Sequence, residues 1–372
     1  MKKLVSLLLV AVLVFSFAAC TENEDIKETT ASLQTEPSDT KTDTDAAEKE
    51  TTVIAESVIK DENMKFKPIE DINDATSVKE LIKSWATNGG DKLHSRNVIN
   101  ILLIGEDYVD GSSRSDAAIL VSIDKKNHKI TLTSFLRDSY TYMNINGQDR
   151  YDKTNHSYAW GGAEKLKEVI SDNYKIIIDH YAILDFEGFV SIIDTLGGVN
   201  VEVTQAESEY ISNTSSYRVP SGKSVKLNGE EALYFARIRK LDGEAQRTER
   251  QRRLLTACLK GLNGSTVDEL EAVLKALYPY VETDYTELQL AALGTQALTG
   301  KWFEFDVISS TAPSEENRMG FNSYKTHTGN LSVWIVDYIK AARELQLSIY
   351  GETNIILSEG KRNTAIDLAK SE

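Results

Sequence analysis

The chain has 372 residues, with 57 Asp or Glu against 42 Lys or Arg, a formal net charge of −15, 41% hydrophobic and 8% aromatic residues. Such a composition excludes a chain disordered throughout and leaves room for one large core or two modest ones. The acidic balance, without a broad basic surface or repeated stacking aromatics, argues against nucleic acid as a partner.

The first twenty residues, MKKLVSLLLVAVLVFSFAAC, place two lysines before a sixteen-residue uncharged run from Leu4 to Ala19. This run is short for a membrane-spanning helix and has the length of a secretion signal. Its end, Phe17-Ala18-Ala19-Cys20, resembles the bacterial lipobox, in which cleavage before the cysteine is followed by lipidation of its sulfur. Phe17 stands where Leu is usual, and an uncleaved anchor is the alternative. The expectation is a protein on the outer face of the cytoplasmic membrane, lipid-anchored at Cys20. From Thr21 to Lys60, eleven Asp or Glu against four Lys give −7 in a Thr-rich stretch poor in aliphatics. It cannot bury enough apolar surface to offset its ordering entropy, and so reads as a solvated tether over 21–63. A folded domain is expected over 64–351, with a tail at 352–372. Cys258, the second of two cysteines, lies in the apolar LLTACLKG and reads as core, so a disulfide framework is not expected.

Within the domain, NVINILLIG (97–105) has the length and apolar character of a buried strand. AAILVSI (117–123) and KITLTSF (129–135) flank the turn Asp124-Lys125-Lys126-Asn127-His128 as a hairpin. A helix is predicted over about 163–172. HYAILDF, EGFVSIIDTL and VNVEV then read as strand, helix and strand, with Gly197-Gly198 stopping the helix. This βαβ unit predicts a mixed sheet covered by helices on both faces, an α/β fold. Further on, helices are predicted near 267–277, 286–298 and 333–345 and a strand near 302–307. No internal repeat is visible.

Two stretches carry chemistry. After the first strand the chain passes Gly105-Glu106-Asp107, crosses a Gly/Ser-rich loop and reaches Arg114-Ser115-Asp116 at the next strand. Two carboxylates, Asp107 and Asp116, converging at a sheet edge suit Mg²⁺, which takes its other oxygens from water and substrate phosphates. Loop carboxylates capping backbone amides are an equal reading of the same pair. The second stretch, RIRKLDGEAQRTERQRR (237–253), gathers six arginines and one lysine in seventeen positions. Arg237 and Arg239 share a face if extended. Arg247, Arg250 and Gln251 share a helix face whose Leu254, Leu255 and Cys258 reach the core. Planar guanidinium groups suit phosphate oxygens, so a compact anion such as a diphosphate is the expected ligand. Glu249, Arg252 and Arg253 read as the solvated side of this helix. The scattered histidines support neither a zinc site nor a triad.

In order, LLIGED, GSSRSDAAILVSID, TLTSFLRDSY, KTNHSYAWGG, DFEGFVSIIDTLGGVNVEV, LNGEEALYFARIRKLDG and RTERQRR resemble the LytR-CpsA-Psr family over about residues 95–265. The resemblance implies an α-β-α sandwich with a mixed central sheet enclosing an apolar prenyl-binding tunnel, lined from the 97–104 and 181–203 regions and opening near Arg237 and Asp107. It implies transfer of an anionic glycopolymer (teichoic acid, capsule or another) from an undecaprenyl diphosphate carrier to a peptidoglycan sugar hydroxyl, forming a phosphodiester. By the same resemblance Asp107 and Asp116 hold Mg²⁺ and either serves as base, while Arg114, Arg137, Arg237, Arg239, Arg247, Arg250 and Gln251 hold the diphosphate. Lys153 and Asn155 sit at the rim. The sequence departs from the family at Val109, where Arg is frequent, at SFLRD, which lacks the usual Pro, and at DGEAQR, which loses a glycine. A lipoprotein that binds such polymers without catalysis, and a solute-binding lipoprotein of two similar lobes, are the competing classes.

Overall fold

The computed structural model describes residues 75–109, 112–261, 280–357 and 364–371. The signal-like segment with Cys20, the tether and the helix expected at 267–277 lie outside these.

The elements in chain order are α1 (Val78–Asn88), β1 (Val98–Val109), β2 (Ser112–Asp124), β3 (Lys129–Phe135), β4 (Tyr140–Ile145), β5 (Gln148–Lys153), α2 (His156–Tyr174), β6 (His180–Leu184), α3 (Phe186–Thr195), β7 (Val199–Val203), α4 (Gln205–Thr214), β8 (Gly222–Leu227), α5 (Gly229–Arg237) and α6 (Glu244–Gly261), followed by β9 (Val281–Thr283), α7 (Glu287–Thr299), β10 (Asp306–Ala312), β11 (Arg318–Lys325), β12 (Asn330–Val336), α8 (Tyr338–Tyr350) and α9 (Ala365–Ser371). Six strands form the central sheet in the order β10-β3-β2-β1-β6-β9. β1 runs parallel to β6 and β3 to β10, while the other neighbours are antiparallel. The expected mixed sheet is therefore present.

Strand alternation divides the core in two. Ile101, Ile119, Val121 and Leu132 face one cluster, closed by Ile193 of α3, Ile211 of α4, Phe235 of α5, Leu254 of α6 and Leu290 of α7. Leu102, Ile104, Ala118 and Leu120 face the other, closed by Leu81 of α1, Leu166 of α2, Leu345 of α8 and Leu368 of α9. Side chains two apart on a strand share a face, so each strand feeds both layers, and an α/β/α sandwich results.

The β2–β3 turn forms as expected. Asp124 accepts from the Lys126 and Asn127 amides, each at 3.0 Å, and His128 takes φ 51°. Other boundaries differ. β7 leaves the central sheet and pairs antiparallel with β8, so the strand–helix–strand unit does not close within one sheet. α2 starts at His156 and kinks at Gly161-Gly162, where Gly162 has φ 64°, a conformation open to glycine. Trp302–Glu304 is a 3-10 turn, and the expected strand runs from Asp306 instead. Val333–Val336 is β12, paired with β11, and the last long helix begins only after Asp337, whose side chain accepts from the Lys340 amide. In the tail, α9 buries Ala365, Leu368 and Ala369 against the second core cluster, so 365–371 belongs to the domain.

Candidate active site

β1 does not end at Gly105; it continues to Val109 alongside β2. The register pairs Gly105 with Ala117, Glu106 with Ser115 and Asp107 with Arg114. One residue of β2, Asp116, is thus extra: a β-bulge, the local device by which a strand re-aims a residue. Asp107, Arg114 and Asp116 are brought together on adjacent strands by pairing, not by an edge turn. Beside them, the Tyr158 hydroxyl of α2 donates to Glu106 Oε1 at 3.0 Å. Burial and the neighbouring Glu106 charge raise the Tyr158 pKa, so the phenol stays a donor.

Below this strand pair lies an apolar cavity. Leu103 and Ile119 of the sheet, Phe189 of α3, Leu233 of α5 and Leu254 and Cys258 of α6 are among its walls. Cys258 was expected in the core; it is 2% exposed and lines this cavity, and burial pushes its thiol up to about 12. The expected lining from 97–104 and 181–203 is met by Leu103, Ile104, Ala182–Phe186 and Phe189, with α5 and α6 completing the wall.

Arg237 and Gln251 are the long polar side chains in the cavity lining. Arg237 is the last residue of α5, not part of an extended stretch, and its guanidinium carbon lies 4.5 Å from the Phe186 ring centroid. Arg237 and Arg239 are both exposed, on either side of buried Ile238. Arg247 is 5% exposed and precedes Gln251 by one turn on α6. Gln251 has a buried Oε1 with no hydrogen-bond partner, at the cavity wall.

Asp138 joins three of the sequence candidates. It accepts from Lys153 Nζ at 2.7 Å and lies 3.9 Å from Arg137 Nε and 3.8 Å from Arg239 Nη2. Asn155 is bound to the same loop by its amide, which donates to the Arg137 carbonyl at 3.2 Å, and its buried Oδ1 has no partner. Sequence reasoning passed over Asp138, although it follows Arg137 directly. A carboxylate beside an arginine reads as a simple surface pair until the fold delivers Lys153 and Arg239 to it.

Arg250 has a different task from the diphosphate contact expected of it. It is 1% exposed, donates from Nε to Glu207 Oε1 at 2.7 Å and from Nη1 to the Ile238 carbonyl at 2.9 Å, and pairs with Asp242. Glu207 is itself the reciprocal acid of the Thr204 capping box at the start of α4. Burial would raise the Glu207 pKa, but the Arg253 side chain, the Thr204 amide and Arg250 bring it down to about 2. The helical spacing put Arg250 near the right face, yet it falls on the flank where α6 meets α4 and the 238–242 loop. Among the described residues no group of three or more His, Cys, Asp or Glu is poised around a metal, and no helix is long and apolar enough to cross a membrane.

An α/β/α sandwich with an apolar cavity opening beside arginines and a carboxylate-bearing strand pair fits one family. The LytR_cpsA_psr family model matches residues 37–335, and the chain belongs to that family. It is 34% identical over 209 residues to the polyisoprenyl-teichoic acid–peptidoglycan teichoic acid transferase TagU of Halalkalibacterium halodurans, an alignment covering 52% of this chain and 66%, just under two thirds, of that relative. Among solved structures, TagV of B. subtilis superposes with a TM-score of 0.52 at 25% identity, over 69% of this chain and 98% of TagV. TagT bound to LIIa-WTA gives a TM-score of 0.55 at 21% identity, over 71% of this chain and 94% of TagT, a likeness of fold.

Proposed function

We propose that this protein transfers an anionic glycopolymer from an undecaprenyl diphosphate carrier to a sugar hydroxyl of peptidoglycan. The carrying observation is the cavity itself: an apolar space walled by sheet and helices, with Arg237 and Gln251 in its lining. A solute-binding protein needs two similar lobes around a wet cleft, whereas here one sheet supports both cores. A prenyl chain gains about 0.8 kcal/mol per methylene buried, enough to seat the carrier by its tail.

The diphosphate then meets Arg237, Arg239 and Arg247, with Arg137 and Arg114 toward the strand pair. Asp138 holds Arg239 and Lys153 in place, so less side-chain freedom is lost when substrate arrives. The acceptor oxygen attacks the sugar-proximal phosphorus, the bond to the outer phosphate breaks, and polyprenyl monophosphate departs. Asp107 or Asp116 takes the hydroxyl proton. Asp107 and Asp116 lie on adjacent strands at the bulge, and carboxylates are the ligand type that suits Mg²⁺. When bound, that ion would neutralise diphosphate charge. The arginines stabilise the charge on the leaving phosphate.

The relatives named as teichoic acid transferases favour teichoic acid as the polymer class. The remaining parts of the reading are a lipid anchor at Cys20 and a location on the outer face of the cytoplasmic membrane, supported by the lipobox-like sequence. Native mass spectrometry of protein purified from its own membrane tests the lipid reading: a co-purifying polyprenyl phosphate or diphosphate is expected. An empty cavity after extraction in mild detergent, together with no uptake of added polyprenyl phosphate, contradicts it.

A further inference from the structure

The far side of α6 carries a second constellation. Counting around the helix, Gln251, Leu254, Leu255 and Cys258 face the apolar cavity, while Arg252, Thr256 and Lys260, at i, i+4 and i+8, lie on another face. This face, with Asn200 of β7 and Ser309 of the edge strand β10, lines a groove. The sequence pattern assigned Arg252 to solvent; it is 7% exposed. Its Nε and Nη1 are buried with no hydrogen-bond partner among the described residues, and burial lowers its pKa against the opposing pull of Glu249.

The groove's acids do not answer this charge. Glu249 is bound by Arg253 Nη2 at 2.8 Å, and Glu202 by Lys223 at 2.5 Å. Arg253 in turn is held by Glu207 at 2.8 Å and by the Glu202 carbonyl at 2.7 Å. Arg252 and Lys260 are left without an ion pair among the described residues. A buried guanidinium with open donors is costly unless an anion completes it.

We propose that this groove is a second anion site, taking a phosphate-type oxyanion between the Arg252 guanidinium and the Lys260 ammonium, with the hydroxyls of Thr256 and Ser309 as further donors. The Arg252 guanidinium offers its unpartnered Nε–H and Nη1–H as charge-assisted donors, and Lys260 adds a mobile point charge at the rim. The site is separated from the cavity by the thickness of α6 and does not depend on the transfer reaction. Two sources share this chemistry: a phosphodiester of an anionic polymer and free inorganic phosphate.

Isothermal titration of the full chain, in an Arg237→Gln background that weakens the headgroup cations, tests it with inorganic phosphate and with a short poly(glycerol phosphate) oligomer. At least one probe binds, Arg252→Gln weakens it about tenfold or more, and Lys260→Gln weakens it severalfold, as loss of charge-assisted contacts requires. A much tighter oligomer identifies polymer as the occupant, and equal affinity per phosphate identifies the free ion. Lys260 is exposed, so its variant decides the matter if Arg252→Gln does not fold. No binding of either probe, or binding unchanged by Lys260→Gln and by a folded Arg252→Gln, overturns the proposal.

Discussion

Filling the cavity from its wall separates lipid binding from stability. Ala236, 8% exposed, lies on α5 immediately before Arg237 and lines the cavity. Ala236→Leu adds three carbons to a space that the fold leaves empty. If the prenyl chain occupies that space, about three of its methylenes are displaced at about 0.8 kcal/mol each, so about 2.4 kcal/mol, or about fiftyfold in affinity, is lost. The free protein moves the other way. New apolar surface is buried in an existing void rather than forced into a packed core, so stability is unchanged or rises by up to about 1 kcal/mol. The assay is a pair of measurements on the same preparation: the dissociation constant of a fluorescent polyprenyl phosphate, and the urea midpoint without lipid. Tight lipid binding retained in a normally folded variant refutes the cavity as the prenyl site. A large loss of stability would show that the region is already close-packed.

Other expectations follow from the same contacts. Arg250→Ala removes one partner of buried Glu207 and lowers unfolding free energy by about 3 kcal/mol, kept near the lower end by Arg253, which still pairs with Glu207; an unchanged urea midpoint with weakened headgroup binding would return Arg250 to the substrate. The Glu207 pKa falls from its ordinary 4.5 to about 2 on folding, so its contribution is present above about pH 4.5 and lost as pH falls toward 2. Glu207→Gln should therefore flatten the pH dependence of stability in that window, and an unaltered acid limb would contradict the assignment. Asp138→Asn frees Arg239 and Lys153 and should cut transfer about tenfold with the melting temperature nearly kept, as for loss of charged hydrogen bonds; transfer at the wild-type rate would remove Asp138 from the site. Cys20→Ala should abolish labelling by a fatty-acid probe, and equal labelling of variant and wild type would point to an uncleaved anchor.

What the sequence made legible follows local physics. The 97–105 run and the strand-length segments 117–123 and 129–135 around the 124–128 turn specified three strands, because apolar runs and turn chemistry act over a few residues. The departure of β7 from the central sheet depends on β8, more than twenty residues on, which no local pattern announces. Val333–Val336 was read as helical because apolar residues continue into α8; the boundary lies at Asp337, whose cap bond marks the true start. At the site, arginine and aspartate identities were readable, and their division of labour was not. Arg250 and Arg252 are two positions apart on α6. One is neutralised by Glu207 and Asp242, acids from a distant helix and a loop, while the other is buried with no ion pair among the described residues.

The central claim is phosphoryl transfer, and the fate of one phosphorus atom decides it. A synthetic prenyl-diphosphate glycan is labelled at the sugar-proximal phosphorus and incubated with the wild-type protein and peptidoglycan fragments. The products are then separated into lipid and peptidoglycan fractions. The account predicts the label in peptidoglycan, in a phosphodiester to the glycan, with unlabelled polyprenyl monophosphate released, and loss of this product in Asp107→Asn. Label left on the lipid while glycan appears on peptidoglycan would mean that the sugar–oxygen bond is the one cleaved, and would contradict the mechanism.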